Sequence, residues 1–251
     1  MRLTKHEGWG NDFLVVSDPQ NATPATPELA RRLCDRRFGI GADGLLHLSK
    51  RDVRADLTMT LHNADGSPAE MSGNGLRCLV QAAVRGGWVS ATANISVSTA
   101  AGYRGAHVAP TDDPLVHFIR VGMGPVVIEG ADGEDMLLNV GNPHRVRRVE
   151  DPDAYDLVRH GLQHPDVNFE VIAAGADGSV KMRVHERGAG ETLACGTGAC
   201  AVAVAAAKWG LVTSNVVTVH QPGGDAEVDI TDTDNVQLAG PVTFIAAIEI
   251  P

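Results

Sequence analysis

Apolar and polar positions change their period several times along the chain, and each change predicts an element. Phe13 to Val16 is a short apolar run after the turn residues Gly8, Gly10 and Asn11, a loop feeding a strand. Thr26 before Pro27 signals a helix start, with Leu29 and Leu33 on its apolar stripe. Leu57, Met59 and Leu61 then alternate with Thr58 and Thr60, the period-two pattern of a half-buried strand. After the turn Ser72-Gly73-Asn74-Gly75 the spacing becomes helical through Leu76, Leu79, Val80, Ala83 and Val84, and Trp88 follows. Asn94 to Ser98 reads as a strand that ends in the turn Ala100-Ala101-Gly102.

The same order recurs downstream. Cys195-Gly196-Thr197-Gly198 repeats the glycine turn, and Ala199 to Trp209 is apolar all round except Lys208, a helix buried on every side. A tryptophan again follows, then a strand from Val216 to Val219 and the turn Pro222-Gly223-Gly224. The two turns lie 195 − 72 = 123 positions apart, about half of the 251 residues. Chance recurrence of a glycine turn does not explain the matched order, so the pattern predicts an internal duplication. The expected fold is α/β (α+β), two similar lobes, each a barrel-like sheet around a central helix. The polar run Thr111 to Pro114 places the boundary, Leu115 to Val121 opens the second lobe, and the strand-like tail returns to the first. That gives one lobe of residues 1–114 plus 239–251 and another of 115–238. Within the second lobe, Asp151 and Pro152 read as the cap and first residue of a further helix.

Composition narrows the classes. A net charge of −10 with no basic run argues against nucleic acid or an anionic membrane as partner. No apolar stretch reaches the roughly 20 residues of a membrane span, and the first thirty residues lack a secretory apolar core, so a cytoplasmic protein is expected. Cys34, Cys78, Cys195 and Cys200 lie in no zinc-like spacing, so neither a metal site nor structural disulfides are expected.

Cys195 is the candidate reactive group. Its glycine turn points backbone N–H groups at one spot and its place before a helix favours the thiolate. The bland alternative, a turn before a core helix with Cys195 as a small hydrophobe, fits the local sequence equally well. Asn11, the Asn142 and His144 of the stretch 139–146, and Asn168 all sit in polar turns, where simple turn chemistry is the competing explanation.

The residues taken together resemble the diaminopimelate epimerase family over nearly the whole chain. The matching stretches are GNDF from Gly10, FGIGADG from Phe38, NADGS from Asn63, GNGLRC from Gly73, GNPH from Gly141, VNF from Val167, ERGAGET from Glu186 and ACGTGAC from Ala194, in the family's order. The resemblance implies a cofactor-independent isomerase of lysine and cell-wall biosynthesis, a homodimer, with an amino-acid substrate in a cleft between lobes and two cysteines on opposite faces of its α-carbon. It implies that Cys195 is one acid/base group, that His144 and Glu186 support the pair, and that Asn11, Asn63, Asn142, Asn168 and Arg187 hold the substrate's distal amine and carboxylate. Two helix N-termini, at Gly73 and Asn74 and at Gly196 and Thr197, would stabilise the charge developing beside the reacting carbon. The chain departs from the family at Ser72, which stands where the family has its other catalytic cysteine, and at Gly44, where many relatives have glutamine. Three explanations fit Ser72: a cysteine-to-serine substitution that holds substrate without turnover, a natural serine variant with changed chemistry, or a binding relative that has lost catalysis. A racemase of another amino acid is the nearest enzymatic alternative.

Overall fold

A computed structural model describes residues 1–22, 24–69 and 71–250. The chain divides into two compact units, residues 1–121 with 240–251 and residues 122–239.

In the first unit, β1 (Arg2–Gly8), β2 (Asn11–Ser17), α1 (Pro27–Cys34), β3 (Gly44–Ser49), β4 (Leu57–Asn63), β5 (Pro68–Ala69), α2 (Gly73–Arg85), β6 (Asn94–Thr99), β7 (Gly102–Pro110) and β8 (Val116–Gly124) follow in order. Thr26 caps α1 as its side chain accepts from Leu29 N, with Pro27 at the first turn. The ladder runs β1–β2 antiparallel, β2–β3 parallel, β3–β4 antiparallel, β4–β6 parallel, then β6–β7 and β7–β8 antiparallel. Leu115 to Val121 does not open the second half: Val116 to Val121 follow β7 in register from Pro110↔His117 to Ala106↔Val121. The final strand, β17 (Val236–Glu249), returns to pair with β1, and Phe244 N donates to Leu115 O at 2.8 Å, which closes the ring. A closed ring has no exposed edge to attract a stray strand. Inside it, α2 is buried from Gly73 to Ala83.

The second unit opens with β9 (Val127–Asp132), which pairs with the next strand, and then repeats this order with β10 (Asp135–Asn139), β11 (Pro143–Arg148), α3 (Leu157–Gly161), β12 (Asn168–Ala174), β13 (Val180–Glu186), β14 (Gly190–Thr192), α4 (Gly196–Lys208), β15 (Val216–Gln221) and β16 (Gly224–Asp229). The parallel pair β11–β12 matches β2–β3, and the parallel pair β13–β15 matches β4–β6. Each central helix therefore sits in an equivalent ladder, as the duplicated sequence pattern predicts. α4 is buried from Gly196 to Ala206, consistent with its lack of a polar face.

The helix expected at Asp151 and Pro152 begins later. α3 starts at Leu157, capped by Asp156, whose side chain accepts from Arg159 N. Residues 151–155 form a turn instead, because the Arg183 guanidinium takes the carbonyls of Pro152, Asp153 and Tyr155 that a helix would have used. All four cysteines are free and buried. No helix among the described residues is long and apolar enough to cross a membrane.

Candidate active site

Each unit carries one cluster of candidate site residues, built where a strand ends and its central helix begins. In the second unit Cys195 is the N-cap of α4, and its sulfur accepts from Gly198 N at 3.4 Å. Gly198 is needed there: a Cβ would stand 2.8 Å from Glu170 Oε1 and 3.2 Å from Cys195 Cβ. The backbone N–H of Cys195 donates to Gln221 Oε1 at 2.8 Å, which fixes the turn from β15. Thr197 Oγ1 lies 3.4 Å from the sulfur. Asn142 Nδ2 donates to that hydroxyl at 3.3 Å, and Asn142 Oδ1 lies 3.0 Å from His144 Nε2. His144 Nδ1 in turn stands 2.7 Å from Glu170 Oε1, both side chains being fully buried. One hydrogen-bonded path thus leads from the thiol to a buried carboxylate.

The expectation of a Cys195 thiolate does not hold for this environment. Burial pushes the thiol well above its ordinary value, the carboxylates of Glu186 and Glu170 push it further, and Thr197 and Gly198 only partly oppose them. A helix terminus supplies about half a charge, too little against desolvation with two nearby carboxylates. Glu186 ends β13 and accepts a hydrogen bond from the Thr192 hydroxyl. Burial raises its carboxyl above the usual range, Thr192 and the neighbouring Cys195 side chain lower it, and Glu170 raises it again. The thiol and the Glu186 carboxyl therefore share a site in which each disfavours a second negative charge. That suits them to hand one proton between them. Asn168 Oδ1 accepts from Arg187 N at 2.9 Å, while the Arg187 side chain is exposed.

In the first unit Ser72 is the N-cap of α2 and its hydroxyl accepts from Gly75 N at 3.0 Å. Asn74 and Asn11 are joined by a chain whose polarity is fixed at both ends. Arg77, a donor only, donates to Asn74 Oδ1 at 2.8 Å; Asn74 Nδ2 donates to Asn11 Oδ1 at 3.2 Å; Asn11 Nδ2 donates to Asp43 Oδ2 at 2.8 Å, an acceptor. The remaining N–H groups of both amides are donors, suited to an anionic ligand group. Asn63 stands apart from this chain, exposed in its own turn, with Nδ2 donating to Ser67 Oγ at 3.0 Å. Gly44 pairs with Phe13 across β2–β3, and a Cβ there would meet the Phe13 ring at 3.0 Å.

Glu170, Arg77 and Asp43 join these clusters although the sequence pattern did not single them out. Glu170 carried a readable signal, a charge on the inward period of an otherwise apolar strand. Among the described residues no group of His, Cys, Asp and Glu is arranged to hold a metal ion.

The duplicated fold of this chain is found in other solved structures. It is shared with a solved phenazine biosynthesis protein of the PhzF family from Bacillus anthracis, at a TM-score of 0.75 and 15% identity over 100% of this chain and 99% of that one. It is shared too with a hydroxyproline epimerase from Agrobacterium vitis, at a TM-score of 0.71 and 16% identity over 100% and 90%. The family model for diaminopimelate epimerase matches residues 3–129 and 136–245. Curated relatives include diaminopimelate epimerases of Desulfitobacterium hafniense, 39% identical with 98% of this chain and 96% of that one covered, and of Streptomyces coelicolor, 37% identical with 96% and 92% covered. The chain belongs to the diaminopimelate epimerase family.

Proposed function

We propose that this protein interconverts LL- and meso-diaminopimelate without a cofactor, moving a proton on and off the α-carbon, with Cys195 as the competent acid/base group and Ser72 as a weak partner. The carrying observation is the Cys195 half-site: a thiol at a helix N-cap, under the electrostatic influence of Glu186 and connected through Thr197 and Asn142 to His144, in a chain of this family. Removing an α-proton builds negative charge beside a carboxylate. The first-turn N–H groups of α4 at Gly196 and Thr197, and of α2 at Gly73 and Asn74, have no partner within their helices and would stabilise that charge. As the thiol gives up its proton, the Glu186 carboxylate, whose affinity for a proton burial raises, takes it and becomes neutral. Asn11, Asn63, Asn142, Asn168 and Arg187 complete the proposal as substrate-holding residues, the Arg187 guanidinium being suited to bond both oxygens of a carboxylate.

Incubation with each stereoisomer in deuterated water tests this. The expected result is α-deuterium wash-in from the isomer whose proton faces Cys195, faster than full inversion, because the hydroxyl of Ser72 is a poor acid and base. Exchange with another amino acid but none with diaminopimelate refutes the substrate. A second reading, an amino-acid-binding protein without turnover, is motivated by Ser72. Calorimetry showing tight diaminopimelate binding together with no exchange would establish it. We extend the proposal to a cytoplasmic homodimer on the family resemblance; sedimentation showing only monomer at micromolar concentration would refute the assembly.

A further inference from the structure

We infer that Glu170 is the positioning residue for His144, fixing a proton on Nδ1 so that Nε2 is the nitrogen that serves the site. The inference deepens the proposed role of His144 and rests on it. His144 and Asn168 are register partners in the parallel pair β11–β12, and side chains alternate along strands, so His144 and Glu170 share a face. Their side chains meet at 2.7 Å with no exposure. A carboxylate accepts and does not donate, so the bond holds a hydrogen on Nδ1. Nε2 is left facing Asn142, and from there the path runs through Thr197 to Cys195. Any proton that His144 gives or takes without breaking its buried bond passes at Nε2. The other carboxylate oxygen, Glu170 Oε2, is buried with no hydrogen-bond partner among the described residues. A charge kept so incompletely satisfied is costly for stability and points to a role beyond packing.

The duplication supplies an internal control. In the first unit Phe13 pairs with Gly44 as His144 pairs with Asn168, which places Phe13 and Leu46 at the positions of His144 and Glu170. Both are buried apolar residues in an equivalent ladder. The fold accepts a phenylalanine and a leucine there, so packing does not demand the acid and the imidazole. Replacing a buried ionic pair by apolar residues of similar volume is often neutral or stabilising.

The experiment compares wild type, Glu170→Gln, which keeps the volume and an acceptor oxygen, and Glu170→Leu, with the ring nitrogens of His144 followed by nitrogen-15 NMR beside kcat and KM for diaminopimelate. In wild type Nδ1 carries a downfield, exchange-protected proton; Gln retains a weaker version and Leu loses it. Loss of an outer partner of a functional histidine is worth about 10- to 100-fold, so kcat falls by about that range in Gln and further in Leu, with KM within about threefold. The double variant His144→Phe with Glu170→Leu folds with a melting temperature at or above wild type and has no exchange activity. A wild-type spectrum with Nδ1 unprotonated overturns the inference, as does a folded Glu170→Gln protein with unchanged kcat. A protein inactive on diaminopimelate whose Nδ1 proton still depends on Glu170 refutes the substrate reading and leaves this one standing.

Discussion

Replacing Ser72 by cysteine should convert a one-thiol site into a two-thiol site at almost no structural cost, and the two N-caps allow the cost to be worked out. Ser72 has φ −144° and ψ 118°, and Cys195 has φ −131° and ψ 114°, differences of 13° and 4°. The glycine three residues on stands equally close in both: a Cβ on Gly75 would be 3.2 Å from Ser72 Cβ, and one on Gly198 would be 3.2 Å from Cys195 Cβ. The backbone at Ser72 is thus already shaped for a cysteine. The serine cap is worth about 1 kcal/mol, and sulfur at the equivalent cap still accepts from Gly198 N at 3.4 Å. The net loss should stay below about 1 kcal/mol, a fall in melting temperature of no more than about 2–4 °C. On the chemical side, a hydroxyl that ionises far above the physiological range is exchanged for a thiol, whose ordinary value is about 8.5. A positioned acid or base contributes about 10²- to 10⁴-fold, and kcat should rise by that range. Chiral separation of LL- and meso-diaminopimelate over time measures it. A folded Ser72→Cys protein whose turnover rises less than about tenfold would fall short of what a positioned acid or base supplies and refute the proposed role of Ser72 as the partner of Cys195 in the reaction.

Three further outcomes are expected. His6 is buried against Gln81 and Thr4, and burial lowers it to about 4. Because a histidine held neutral in the fold charges on unfolding, its contribution is complete above about 6.5 and is lost as pH falls toward about 4, worth roughly 2–3 kcal/mol; urea titrations at pH 7 and 4.5 should show that loss in wild type and not in His6→Gln. Glu186 is raised by burial, so its charged form disfavours the fold and stability is lost as pH rises past the ordinary carboxylate range; Glu186→Gln should melt above wild type at pH 8 and beside it at pH 4, and equal melting at both values would contradict the assignment. Arg77 stacks on Trp9 at 3.6 Å from the ring centroid and donates to Pro241 O at 2.9 Å and Asn74 Oδ1 at 2.8 Å. Arg77→Met leaves the buried Asn74 Oδ1 unpaired and should cost about 1–3 kcal/mol, read by Trp9 fluorescence on denaturation; no measurable loss would mean the stack and bonds contribute little.

Much of this architecture was legible because duplication writes the same local signals twice: a glycine turn, an apolar helix, a tryptophan and a strand. Helix starts were readable where one cap competed with none, as at Thr26, and misread where two aspartates competed. Asp151 and Asp156 look alike as caps, and only the distant Arg183 decides that the first belongs to a turn. Charge states were less readable still. Local sequence puts Cys195 at a helix N-terminus, but its ionisation is decided by burial and by Glu186 and Glu170, which meet it only in the folded ladder. The same ladder makes the two halves chemically unequal. Next to Cys195 the strand pair presents an imidazole and a carboxylate, whereas the matching positions beside Ser72 hold Phe13 and Leu46. A hydrogen-bonded chain therefore leads away from one helix cap, and none leads away from the other through those positions. Ser72 therefore lies in the half with fewer groups suited to proton transfer, and in the proposed reaction the greater share of the proton handling falls to the half that holds Cys195.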